Sequence, residues 1–313
     1  AEPEWALTEA HHRARGMNEV RGLVFSPDGR HAYAVAYEDD MVSYFSRDLE
    51  TGYLTFEGAV DLHTTPSAPN TAPKLKIDQG LLTLCVSADG AHVYVGAVIG
   101  KGVFAFARDA DTGALTQIQL IKNGQDGITG LDYPAHLALS PDDKHLYITN
   151  ESSSNGRVQV YTRDPATGLL AFAQQVEDPS YPRGLYGLEV SGDGKQIYVA
   201  CKDYSLGQGI VALNRNADTG LLESGAFLEF QSGWDLGDPQ ELCLSPDGAF
   251  MYAMLRWRDA VGVFARNTDT GALNYASTFD YNTGLPTGET YPGYSVLTAI
   301  DISPDGSRLF LAC

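Results

Sequence analysis

The stretch AHLALSPDDKHLYITNE, residues 135–151, places two apolar runs on either side of Ser140, Pro141, Asp142 and Asp143. Serine, proline and aspartate favour a tight reversal, and the flanking apolar, β-branched and aromatic residues favour extended chain, so the stretch predicts a β-hairpin. The pattern recurs as SPDG from Ser26, SADG from Ser87, SGDG from Ser191, and SPDG again from Ser245 and Ser303. The six copies stand 51 to 61 residues apart, the signature of a repeat architecture.

In five copies a third run follows: MVSYFSRD, GVFAFARD, RVQVYTRD, GIVALNRN and AVGVFARN. Each leads to a Thr-Gly turn and a fourth run such as YLTFEGAV or ALTQIQLI. The aspartate or asparagine before each Thr-Gly is expected to bond its own backbone, with glycine supplying a positive φ. Recurrence in every copy favours this turn chemistry over calcium binding. Four strands per repeat and no helical periodicity predict an all-β chain, a β-propeller in which residues 1–313 form one domain. WALTEAHH, residues 5–12, matches the fourth run GALTQIQL, and the sixth copy ends at Cys313 after its second run. The expected ring has six blades of about four antiparallel strands, the last shared between the two termini; a longer natural chain would leave room for a seventh.

With 43% hydrophobic residues, 313 residues can bury a large core. Asp and Glu number 40 against 21 Lys and Arg, a net charge of -19 with no basic cluster, which repels phosphate backbones and anionic lipid. Nucleic acid and membranes are therefore excluded as partners, and no apolar run approaches the ~20 residues of a membrane helix. A soluble protein is expected, with secreted, periplasmic and cytoplasmic locations all left open. Cys85, Cys201, Cys243 and Cys313 lack C-x-x-C spacing and sit in or at the end of apolar strands, so buried reduced thiols are expected, with a Cys201–Cys243 bridge left open.

In a propeller the first strand of each blade lines the central channel, and the start of that strand lies beside the end of the second. Four residues before the turn serine stand Gly22, Thr83, His136, Gly187, Glu241 and Ala299; at the end of the second strand stand Tyr37, Val98, Glu151, Lys202 and Arg256. The charged and histidine members fall in three consecutive repeats, and such a one-sided cluster suits a small anionic ligand. His136, Glu151 and Glu241 are the candidate catalytic groups, with Arg256, Lys202 and Asn150 beside them as binding groups. Trp234 and Tyr181, in aromatic connections between repeats, are candidate pocket walls or plugs. His31, His92 and His145 follow hairpin turns and are expected to face solvent. An ion pair that merely fills the channel is the competing reading.

The SPDG hairpins, the VxVFxRDxxTGxL third strands and the repeat length together resemble the lactonase-like β-propellers. That group includes 6-phosphogluconolactonase of the propeller type and the carboxymuconate cyclases. The resemblance implies a small-molecule lactone ligand, no redox cofactor, and a site in which AHLALSPDDKHLYITNE supplies His136, Asn150 and Glu151 while PQELCLSPDGAFMYAMLR supplies Glu241 and Arg256. Here the repeat GLEVSGDGKQIYVACK stands between these two. The alternative is a non-catalytic recognition or scaffold propeller with a protein partner. A divalent cation held by Glu151, Glu241 and Asn150, as in six-bladed gluconolactonases, ranks last because Lys202 and Arg256 would compete with it.

Overall fold

The computed structural model describes residues 17–62, 80–151, 156–178, 182–203, 207–234, 236–256, 260–280 and 297–312. All regular structure among them is β. The chain divides into two compact units, Ala1–Leu139 with Arg163–Ala171, and Ser140–Thr162 with Phe172–Cys313. The expected pairing of the N-terminal strand with the last repeat falls on residues 5–12, outside the described residues.

The first unit holds two complete sheets. β1 (Val20–Phe25), β2 (His31–Ala36), β3 (Met41–Arg47) and β4 (Leu54–Asp61) lie in sequence order, as do β5 (Leu81–Val86), β6 (His92–Ala97), β7 (Gly102–Arg108) and β8 (Leu115–Lys122). Their core packs Tyr33, Val35 and Val42 against Leu81, Val95 and Phe106. β9 (Pro134–Leu139), β10 (His145–Asn150), β11 (Arg157–Arg163) and β12 (Leu170–Glu177) form a third sheet, through which the division into units runs.

The second unit adds β13 (Gly184–Val190), β14 (Gln196–Asp203), β15 (Gly207–Arg215) and β16 (Leu222–Glu229) as one sheet. A further sheet comprises β17 (Pro239–Leu244), β18 (Phe250–Leu255), β19 (Ala260–Arg266) and β20 (Leu273–Asp280), and β21 (Ala299–Ile302) pairs with β22 (Leu309–Ala312). The second strands of the first three repeats, β2, β6 and β10, are buried along their whole length, the pattern of a strand covered on both faces.

Turn chemistry matches the sequence expectation. In the first repeat Gly29, at φ +68°, donates its N–H to Ser26 O at 2.8 Å, and Ser26 Oγ accepts from His31 N at 3.0 Å. In the Thr-Gly turns Asp109 Oδ1 accepts from the N–H groups of Asp111 and Thr112, at 3.0 and 2.8 Å, which accounts for its acidity without a cation.

The histidines after the turns do not face solvent. His31, His92 and His145 are only 3 to 5% exposed. They are covered by the arginine that ends the third strand of the next repeat. Arg108 donates Nε to Tyr33 Oη at 2.7 Å and Nη1 to Gly90 O at 2.9 Å, while Nη2 meets Asp28 Oδ2 at 3.2 Å and His31 Nδ1 at 2.7 Å. Arg163 meets Tyr94, Asp89 and His92 in the same way, and Arg215 meets Tyr147, Asp142 and His145. In the next instance Gln196 replaces the histidine, its Oε1 accepting from Arg266 at 2.6 Å. Each tyrosine donates in turn to the glycine carbonyl of a Thr-Gly turn in the following repeat, Tyr147 to Gly220 O at 2.9 Å.

This clasp generates the first prediction. Arg215→Met strands the Tyr147 hydroxyl oxygen and Gly194 carbonyl and should lower unfolding free energy by about 3 kcal/mol, whereas Tyr147→Phe should cost about 1 kcal/mol. Urea denaturation of both variants measures this, and a neutral Arg215→Met would mean that the clasp is dispensable. A second prediction concerns the thiols. Cys201 and Cys243 are free and buried, and Cys85 is half-buried. Cys201 Sγ donates to Gly209 O at 3.2 Å, and burial pushes the Cys243 thiol up to about 12. An aromatic disulfide reagent should leave both unmodified in the native protein and label them on unfolding; rapid native labelling of either contradicts their burial.

Candidate functional site

At the seam between β14 and β17, Lys202 Nζ lies 2.6 Å from Asp238 Oδ1, with both side chains almost wholly buried. Asp238 precedes β17 and has φ +54°, a left-handed backbone seldom adopted by a residue with a Cβ. Its N–H donates to the side-chain oxygen of Gln208, its carbonyl accepts from Arg256 N at 3.1 Å, and its Oδ1 also accepts from Gln240 Nε2 at 3.0 Å. Its other carboxylate oxygen, Oδ2, is buried with no hydrogen-bond partner among the described residues.

A second link joins β10 to β13. Tyr186 Oη donates to Glu151 Oε1 at 2.7 Å, and Thr149 Oγ1 donates to Tyr186 O at 2.7 Å. Asn150, between Thr149 and Glu151, is fully buried, and neither its amide nitrogen nor its amide oxygen has a hydrogen-bond partner among the described residues. Burial also leaves Asn150, which opens a glycosylation sequon, inaccessible to modification.

A third feature is a ladder of carboxylates along successive first strands. Glu189 on β13 accepts from Leu244 N of β17 at 3.4 Å, and Glu241 on β17 accepts from Ile300 N of β21 at 3.1 Å. Burial pushes each carboxyl up to about 7, and the negative charge of Asp301 pushes the same way. His136, on β9 in the first unit, has a buried Nδ1 with no partner among the described residues, and burial lowers its pKa to about 4. It is therefore a neutral imidazole at physiological pH.

A family profile described as lactonase, seven-bladed β-propeller, matches residues 8–186 and 182–287. The chain belongs to this lactonase family of β-propellers. Among solved structures it is similar to a candidate 6-phosphogluconolactonase of Bacteroides uniformis ATCC 8492, at 21% identity and TM-score 0.56 over 81% of this chain and 82% of that one. It is also similar to a candidate 6-phosphogluconolactonase of Bacteroides fragilis NCTC 9343, at 18% and 0.57 over 82% and 83%. A protein of Lactobacillus plantarum matches at 18% and 0.66, over 83% of this chain and 71% of that one. No curated protein matches. At these identities the neighbours speak for the fold alone.

Within this lactonase-type propeller the structure shifts the pairing expected for the fifth repeat. Glu241 pairs with Met254, and the residue opposite Arg256 is Asp238, because a register shift falls between Pro239 and Glu241. The same irregularity separates Val20 from Gly22 and Leu81 from Thr83. A bulge adds one residue to one strand only, so counting from the turn misses the partner. Lys202 likewise pairs with Gly184. Trp234 stacks on Tyr275, with ring centroids 4.6 Å apart, and packs, partly buried, against the apolar cluster of β14 to β20. Tyr181 lies outside the described residues. Asp238, Tyr186 and Glu189 escaped the sequence reading, although the position seven before the turn serine, held by Glu19, Gly80 and Asp238, has positive φ in all three.

The carboxylates generate a pH prediction. Glu189 and Glu241 have folded pKa values near 7, above the ordinary 4.5, so the folded state holds their protons more tightly. Their contribution favours folding below the ordinary value and is lost as pH rises through about 7. Asp28 and Asp89 are held down to about 2 by hydrogen bonds and by Arg108 and Arg163, against the opposing effect of burial, so their contribution is present above 3.8 and lost as pH falls through about 2. Denaturant midpoints across the pH range should show Glu189→Gln/Glu241→Gln gaining on wild type above neutrality, with the gain shrinking toward acid. An unchanged pH slope would mean that these carboxyls are solvated.

Proposed function

We propose that this propeller hydrolyses a small lactone bearing a carboxylate or phosphate. The observation carrying the proposal is Glu241: a half-buried carboxylate on a first strand, anchored by one peptide N–H, raised toward neutrality by burial, in the same repeat as Arg256. A base whose pKa lies near the operating pH combines availability with proton affinity, which His136 at about 4 does not. Glu241 would take a proton from water as its oxygen bonds to the lactone carbonyl carbon. When the ring carbon–oxygen bond breaks, that proton passes to the departing ring oxygen, leaving a hydroxy acid. No oxidation state changes, so no redox cofactor is required.

The remaining roles follow from chemistry. The Arg256 guanidinium holds the anionic group through paired N–H donors. Asn150 offers a donor and an acceptor, and the Tyr186 hydroxyl holds Glu151 Oε1 in place.

The second reading, a recognition or scaffold propeller, is favoured by one observation: the Lys202 ammonium is already compensated by Asp238, which leaves less positive charge for an anion than the sequence promises. Turnover decides between them. Across aldonolactones and muconate-type lactones, acid release should be measurable for wild type, fall about 10²-fold or more in kcat for Glu241→Gln, and show a raised KM for Arg256→Met. Absence of turnover together with absence of any ligand-induced rise in melting temperature would leave the scaffold reading standing.

A further inference from the structure

We propose that Asp238 is a ligand-binding residue whose Oδ2 accepts a hydroxyl hydrogen of the bound molecule, so that the Lys202–Asp238 pair reads hydroxyl groups rather than clamping an anion. This rests on the reading of the seam as part of a small-molecule site.

The argument starts from an imbalance within one carboxylate. Oδ1 is saturated by Lys202 Nζ and Gln240 Nε2, whereas Oδ2, on a residue only 3% exposed, meets no donor among the described residues. Buried polar atoms are matched in the great majority of folded structures, and an unmatched carboxylate oxygen is the costliest kind to leave alone. The backbone conformation is one that aspartate tolerates, as at Asp40, Asp126 and Asp143, and Gly80 holds the equivalent place in the second repeat at φ +61°; the unmatched oxygen, not the φ, singles out Asp238. Glu19, the other acidic residue at this position, is exposed and paired with Arg21. The carbonyl of Asp238 bonds Arg256 N as those of Glu19 and Gly80 bond Tyr37 N and Val98 N, so the backbone here is common to the repeats and the buried, half-matched carboxylate is what differs.

The chemistry of Oδ2 fixes the class of partner. An ionised oxygen accepts and cannot donate, so it repels carboxylate and phosphate and selects a hydroxyl or amine hydrogen. With Lys202 balancing its charge, a neutral donor suffices. The polyol portion of a sugar acid supplies such hydrogens, whereas an unsubstituted dicarboxylate supplies none.

Calorimetric titration with gluconate, uncharged gluconamide and succinate tests this. Wild type should bind gluconate and gluconamide. Asp238→Asn should weaken both at least tenfold while leaving succinate within about twofold, the loss expected of one charge-assisted hydrogen bond. Arg256→Met, which tests the anion contact of the proposed function, should instead weaken gluconate and succinate and spare gluconamide. Because Asp238→Asn leaves Lys202 facing a neutral amide, Asp238→Gly/Lys202→Met serves as a second variant. It removes both charges and places glycine at a φ that suits it. A folded variant of either kind that binds gluconate within twofold of wild type overturns the proposal, as does wild type that binds neither gluconate nor gluconamide. Asp238-dependent gluconamide binding without turnover of any lactone would sink the hydrolase reading and sustain this one.

Discussion

A guanidinium cannot shed its charge when buried, and four of them, Arg108, Arg163, Arg215 and Arg266, are each at most 9% exposed at the junctions between repeats. Everything that recurs in the sequence serves that requirement. The second strand must carry a tyrosine whose oxygen takes Nε, the hairpin turn an aspartate for Nη2, and the repeat's own turn a glycine carbonyl for Nη1. The aspartate does double duty: Asp89 Oδ1 bonds Ser87 and Ala91 within its own turn, while Oδ2 meets Arg163 of the next repeat. The motif that forms the hairpin is thus the motif that specifies its neighbour. A buried charge left without its partner is far more costly than a mismatched apolar contact, so the clasp sets the register between repeats.

That arrangement also decides where function can sit. The clasps lie at the hairpin-turn end of the second strands, at Tyr147 and Tyr198, whereas Asn150, Lys202 and Asp238 lie at or beyond the opposite end. Even the few residues from His145 to Asn150 carry the chain well over 10 Å at the usual rise per residue of a strand. The end that must be uniform for neighbouring repeats to lock is therefore separated from the end that is free to differ. At the slots counted from the sequence, Gly22, Tyr37, Thr83 and Val98 occupy the first two repeats, and Glu151, Lys202, Glu241 and Arg256 the third to fifth.

The same logic explains what could be read from sequence. Strands and turns were legible because their signals are local: a turn serine bonding two and five residues on, and apolar runs on each side. The burial of His31, His92 and His145 was not legible, since the arginines that cover them lie 77, 71 and 70 residues away. A residue after a turn looks solvent-facing until the neighbouring repeat closes over it. Among the candidate residues, Glu241 was picked by counting back from the turn serine, and Lys202 and Arg256 by counting to the end of the second strand. Asp238 was missed because the bulge before Glu241 moves it opposite Arg256, and an extra residue in one strand leaves no mark on the apolar alternation of its partner.

What remains is a division of labour among buried carboxylates that no motif announces. Asp238 Oδ1 faces a lysine ammonium at 2.6 Å and accepts from the side-chain amide of Gln240 at 3.0 Å. Glu241 faces one peptide N–H and the charge of Asp301, and its environment favours the protonated form until the pH nears 7. The first is equipped to remain a fixed acceptor, and the second to gain and lose a proton where it is useful. Glu189 repeats the environment of Glu241 one repeat earlier, each anchored by a single peptide N–H of the next first strand and facing the charge of Asp301. On the proposed function, a ligand hydroxyl held at Asp238 and a proton moved by Glu241 would draw on two different carboxylates.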